Sequence, residues 1–444
     1  MARLGRLTDN ASFFPRILHY ITIPVHKNAA ILPSASADGR WPVLVFSHGL
    51  GGNRNTYSHL CGSVASHGVV VVTPEHRDGS APVSYMRDPS DPLTRTSRTV
   101  QYERADHTPT PEVHALRTAQ LQTRLWELGL LHDALLRVDA GAGAALSNLN
   151  ASSAALLPMF KGRLAVREPG SVAFGGHSFG AATVAQFVKS VYYSPYPGAP
   201  AEFEALYDPA PASEVKRQIT ARTPLILLDI WLLPLRAPRT RWLWNQPLPC
   251  YAAAGRGGAG VVAVESQVFF RWRVHLKLTK RFLSADPGSA RADLDALDGR
   301  AGPRLYWAER SAHLSQSDFG ILFPWVTRRM GGEEGERVMG LNVRAVVEGL
   351  REAGWAVKGE EEGEGGIFNT SGEIRGWQSL SLDVSDLQDV GKEEEEETVE
   401  HGQGQSAVGG DMEDVEKSPT ELVVEDEALG RDGTRESVSG SGKL

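Results

Sequence analysis

The stretch SVAFGGHSFGAATVAQ, residues 171–186, holds a serine between two glycines, Gly176-x-Ser178-x-Gly180, where an apolar run gives way to small residues at helical spacing. A chain that leaves a strand and enters a helix within a residue or two must turn sharply. Glycines on either side allow that turn without a Cβ clash and leave the serine at its apex, with His177 beside it. A serine hydroxyl is a weak nucleophile until a base takes its proton. The spacing alone is also met by tight turns that need nothing but their glycines, so the surrounding elements decide.

Those elements alternate. Apolar runs at Pro42–Phe46 and in VVVVTPEH (69–76), SVAFGG (171–176), TPLILLD (223–229), GVVAVES (260–266) and PRLYWAE (303–309) read as strands buried on both faces. Between them lie helical patterns. The longest, 111–138, opens on Pro111, and others fall at 268–283 and 336–354. The order predicts an α/β fold of the α/β-hydrolase kind, a mostly parallel central sheet with helices on both faces. One catalytic domain over 15–357 is expected, after a flexible N-terminus at 1–14. From 358 the chain turns acidic and poor in large apolar residues, as in GKEEEEETVE, so 358–444 is expected to be a disordered tail.

Composition narrows the function. The hydrophobic share of 41% and aromatic share of 8% suit a globular protein. The net charge is −8, with the acidic excess concentrated in the tail, and no nucleic acid is expected as a partner. Two cysteines, Cys61 and Cys250, cannot build a disulfide framework or a four-ligand zinc site, and no metal or other cofactor is expected. No signal-peptide core and no run of ~20 apolar residues is seen, so a cytoplasmic location is expected. Oligomeric state is not legible.

A serine nucleophile needs a place for the charge that develops on the substrate oxygen. FSHGLGG (46–52) follows an earlier strand, and its backbone can lie over the same sheet edge as Ser178, offering Leu50 N–H beside Phe179 N–H. It also reads as a plain connector. Acid and base should follow the serine in that order. Asp229 ends an apolar strand and His313 follows the last one, in AERSAHLSQSDF (308–319). His275 is the other downstream base, on a helix that suggests a structural role. Asp208 and Asp318 are other acids, each in a loop with no strand before it.

VFSHGLGGNRNTYSHLCGSVASHGVVVVTPEHRDGSA (45–81), FGGHSFGAAT (174–183), LLDIWLLPL (227–235) and AERSAHLSQSDF resemble, in order, the motif blocks of the plasma and type II intracellular platelet-activating factor acetylhydrolases. ITIPVHKNAAILP (21–33) resembles the segment before the first block. The resemblance, over about 20–330, implies Ser178 as nucleophile, Asp229 as acid, His313 as base and Leu50 with Phe179 as oxyanion donors. Gly176, His177 and Gly180 form the elbow. It implies calcium-independent hydrolysis of a short or oxidised sn-2 acyl ester of a phospholipid, with a lyso-phospholipid and a carboxylic acid as products and transient contact with a membrane surface. A general short-chain carboxylesterase or polyester hydrolase, and a non-catalytic lipid-binding protein, are the alternatives. The chain departs from the pattern in its short N-terminus, in insertions at 190–221 and 236–258, and in its tail.

His76-Arg77-Asp78 matches a kinase catalytic tripeptide without the other kinase motifs, and GRGGAG (255–260) precedes a strand where a dinucleotide loop would follow one. DIWLLPLRAPRTRWLWNQPL mixes Trp231, Trp242 and Trp244 with leucine and arginine. That mixture suits a lid that touches lipid, and equally a segment that covers the core.

Overall fold

Each of the wholly apolar runs contains a strand, and those at the centre of the sheet are buried on both faces. The computed structural model describes residues 21–383 except 24, 35, 88–96, 106, 146–155, 256, 289–300, 359–365 and 370–373. Along the chain come β1 (Val43–Ser47), α1 (Ser58–Ser66), β2 (Val70–Val72), β3 (Val83–Arg87), β4 (Ser97–Gln101), α2 (Pro111–Asp139), β5 (Val172–His177), α3 (Phe179–Tyr193) and β6 (Leu225–Leu228). Then follow β7 (Val261–Ser266), α4 (Gln267–Arg271), α5 (Arg273–Leu283), β8 (Arg304–Ala308), α6 (Gly335–Glu352) and β9 (Trp377–Ser379), with short helical turns between. β3 and β4 pair as a separate hairpin, which the sequence reading did not foresee.

The main sheet runs β2-β1-β5-β6-β7-β8-β9, parallel from β2 to β8 and antiparallel at β9. Alternate residues feed two cores. Val43, Val45, Phe174, Leu227 and Ala263 pack with Leu121 and Leu125 of α2 and Val184 of α3. Leu44, Phe46, Ile226 and Val262 pack with Leu60 of α1 and Val338 and Val346 of α6 on the other face. From β1 the chain moves outward to β2, and it returns to β5 on β1's other side, so the strand order reverses between β1 and β5. Sites in open parallel sheets form at such a reversal, beyond the carboxyl ends of the strands.

Two expectations change. The helix anticipated over 268–283 is two helices that break at Trp272, whose ψ of 82° lies outside the helical range. The domain also continues past the expected limit at 357. Ile367, Phe368 and Trp377 are buried in the α6-side core, and Trp377 lies under the Tyr306 ring with centroids 5.0 Å apart. These apolar islands are too short to register in an averaged composition. The remaining tail, 384–444, and the flexible N-terminus expected at 1–14 lie outside the described residues. Among the described residues no helix is long and apolar enough to cross a membrane.

Candidate active site

Ser178 sits between β5 and α3 with φ 56° and ψ −120°, a conformation that costs a non-glycine residue about 1–3 kcal/mol. The surroundings impose it. A Cβ on Gly180 would strike the Ser47 carbonyl, and one on Gly176 would strike the backbone of Gly180. Ser178 N–H donates to Leu228 O at 2.9 Å, and Trp231 N–H donates to Ser178 O at 3.3 Å, so both ends of the apex residue are tied to β6 and the segment after it.

β6 ends one residue before Asp229, which also has a positive φ, 41°. Its carboxylate is fully buried: Oδ1 accepts the Ser266 N–H from the end of β7, and Oδ2 lies 2.8 Å from His313 Nδ1. His313 arrives on the short turn after β8. Its imidazole is held between the Phe269 ring, stacked at 4.6 Å and 7°, and the His177 ring at 4.3 Å. Donor atoms of His177, Asp229 and His313 lie within 4.8 Å of one another. The facing atoms of Asp229 and His313 already bond each other, and His177 Nδ1 bonds Tyr57. Burial first, then the neighbouring His313, pushes the His177 pKa well down, so the imidazole beside the serine is neutral.

The competing residues have other partners. Both carboxylate oxygens of Asp318 accept backbone N–H groups at the start of α1, from Ser58 at 2.8 Å and His59 at 3.0 Å. Asp208 accepts the Ser194 hydroxyl inside the first insertion. His275 is buried on α5, where its Nε2 faces Leu232 N–H.

The turn after β1 lies against the serine. A Cβ on Gly49 would sit 3.1 Å from the Ser178 Cβ. Neither Leu50 N–H nor Phe179 N–H finds an acceptor among the described residues, and as the first residue of α3 Phe179 has no partner within the helix.

What fixes this turn was not legible beforehand. The Tyr57 hydroxyl accepts Gly49 N–H at 3.1 Å and bonds His177 Nδ1 at 2.8 Å, which joins the turn to the elbow. Fully buried Arg124, from α2, donates to His48 O at 2.8 Å and to Asp78 at 2.6 Å, and lies over the Phe179 ring at 4.3 Å. One guanidinium thereby touches a residue on each side of the two free amides. Burial alone would raise the Asp78 carboxyl, but Arg124 above all, with His76 and Ser80, holds it down at about 2. Behind them Ser47 Oγ, His76 and Glu127 form a second serine–histidine–carboxylate chain at 2.8 Å per link, with Ser47 and His76 fully buried. No substrate reaches it, so it serves as a brace. Arg124→Met leaves the Asp78 charge buried and unpaired and is expected to cost about 3–5 kcal/mol, read as a lowered denaturant midpoint. An unchanged midpoint would remove Arg124 from this role.

The tryptophans offered as a lipid-touching lid are largely spent inside. Trp231 and Trp244 are buried in the core, and Trp242 meets Tyr193, Tyr196 and Phe203. The two insertions are folded onto each other by that aromatic cluster, so these tryptophans act as core cover. Neither cysteine forms a disulfide; Cys250 is buried and Cys61 partly so.

Residues 8–248, more than half of the chain, match the family described as platelet-activating factor acetylhydrolase, isoform II. A Schizosaccharomyces pombe protein named "Putative phospholipase A2" is 29% identical over 346 residues, 75% of this chain and 72% of that one. The platelet-activating factor acetylhydrolase of Cavia porcellus is 34% identical over 177 residues. That match takes in 40% of this chain and 38% of the relative, so it spans well under half of the guinea-pig protein. Among solved structures, a ferulic acid esterase from Streptomyces cinnamoneus overlaps at a TM-score of 0.32 and 15% identity, over 71% of this chain and 64% of that one, too loosely to inform the site. With an elbow serine, a carboxylate-bound histidine and two free amides at one sheet edge, and with the profile matched across more than half its length, the chain belongs to the platelet-activating factor acetylhydrolase, isoform II family.

Proposed function

We propose that the chain is a serine esterase that hydrolyses the sn-2 acetyl or short acyl ester of phospholipids resembling platelet-activating factor. The observation that carries the reading is the 2.8 Å contact of His313 Nδ1 with buried Asp229, on the same sheet edge as a serine held at positive φ. Ser178 Oγ attacks the ester carbonyl while His313 accepts its proton. The oxyanion then faces Leu50 and Phe179 N–H, fixed donors whose worth is several kcal/mol in a site closed to water. His313 returns the proton to the leaving glycerol oxygen, which departs as the lyso-phospholipid and leaves an acyl-serine. A water that gives its proton to His313 attacks the acyl carbon, the carboxylic acid leaves, and Ser178 recovers its proton. Asp229 holds the imidazole in the tautomer and orientation this cycle needs.

The substrate class comes from the family and from the relatives' names, and it is tested by acyl length. The expected profile on phosphatidylcholine-type substrates falls steeply from acetyl to long sn-2 chains, with no dependence on calcium. Turnover of soluble acetyl esters with none on acetylated phospholipid would favour a general carboxylesterase.

A further inference from the structure

Glu265, the penultimate residue of β7, has a carboxyl group that the relay just described does not use. It is 1% exposed, and among the described residues neither of its oxygens receives an N–H or O–H donor. The parallel register pairs Leu228 with Val264, so Asp229 and Glu265 are the next residues along neighbouring chains, and Asp229 N–H donates to Val264 O at 2.9 Å. The Asp229 charge acts on the Glu265 carboxyl beside it. Two buried carboxylates side by side repel each other, so one of them carries a proton. Asp229 is already committed on both oxygens, to Ser266 N–H and to His313 Nδ1.

We propose that Glu265 is a positioning residue, held as the neutral acid, that donates its O–H to Asp229 and so fixes the carboxylate that orients His313. The inference rests on the esterase reading for its catalytic meaning. The surroundings agree. Burial first, then the Asp229 charge, drives the Glu265 pKa well above the usual carboxyl range. Around the pair stand His313 and His177, His275 of α5 with Arg236 near it, and uncharged Trp307, which pairs with Glu265 from β8. Burial also keeps His275 low, at about 3, so that imidazole is neutral. A second negative charge here would hold the His313 imidazolium and disable it as a base, whereas a neutral donor leaves the single charge of Asp229 in place.

Two variants test this. In E265Q the amide N–H replaces the acid O–H, and in E265L the donor is gone with similar volume. For 4-nitrophenyl acetate hydrolysis, E265Q is expected to keep the acid limb of the kcat–pH profile where wild type has it. A limb about one unit or more lower would mean that a negative charge had been removed, and would overturn the proposal. E265L is expected to lower kcat about tenfold with KM held, and to move the acid limb upward, because an Asp229 without its donor favours the imidazolium more strongly. An E265L profile that matches wild type overturns the proposal as well. Infrared difference spectra at pH 7 should show the carbonyl band of a buried protonated carboxyl group in wild type and Ser178→Ala, absent from E265Q. If wild type lacks that band the inference fails whatever the esterase assays give, and if the band is present while Ser178→Ala still hydrolyses ester, only the esterase reading fails.

Discussion

Ser178→Ala is expected to lower kcat for 4-nitrophenyl acetate by about 10⁴- to 10⁶-fold and to abolish labelling by a fluorophosphonate. The size follows from the division of labour. The hydroxyl is the atom that becomes acylated, so the remaining groups can only assist direct attack by water, a small residue of catalysis left by the two amides and by binding. The loss should fall on kcat, since the oxygen contributes little to holding the ester in the ground state. Folding should survive, because the alanine keeps the Cβ and the elbow is set by Gly176, Gly180 and the backbone bonds to Leu228 and Trp231. An unchanged melting temperature with activity within tenfold of wild type would remove Ser178 from the mechanism.

A chain cut after residue 357 is expected to be less stable than one cut after 383 by on the order of 5 kcal/mol, taking about 1.5–3 kcal/mol for each large apolar side chain removed from a core. Four such side chains are at stake: Ile367, Phe368, Trp377 and Leu382. Trp377 stacks on Tyr306, whose hydroxyl donates to Phe368 O at 2.8 Å, and the Arg304 guanidinium lies 5.5 Å from the Phe368 ring centroid. A domain of ordinary stability has only about 5–15 kcal/mol in hand, so the shorter chain should melt far earlier or fail to accumulate. Equal melting temperatures would show that these residues are dispensable.

The α/β alternation and the strand-to-helix turn at Ser178 could be read in advance because each is local. A continuous apolar run, a G-x-S-x-G spacing and a residue that ends a strand are all visible within a dozen positions. Asp229 stands apart from Asp208 and Asp318 because it follows an apolar strand, and the fold sets it against His313. What escaped the sequence depends on groups brought together from afar. Arg124 looks like any polar residue on an amphipathic helix until the fold sets it between His48 and Phe179. Glu265 reads as an ordinary strand-end glutamate until the register stands it beside Asp229. Phe269, which stacks on His313, gives no signal in sequence at all. The tryptophan-rich insertion stayed open in sequence, since its composition suits an interface and a core, and packing decides for the core.

β9 covers three residues of β8 in an antiparallel ladder: Tyr306 with Ser379, Trp307 with Gln378 and Ala308 with Trp377. Without that cover, RLYWA would be a bare sheet margin with open backbone groups and aromatic side chains, the kind of template on which a second copy can add its own strand. Those few residues thus cover the margin on which a second copy could build, and a chain cut after 357 is expected to scatter more light on standing than one cut after 383.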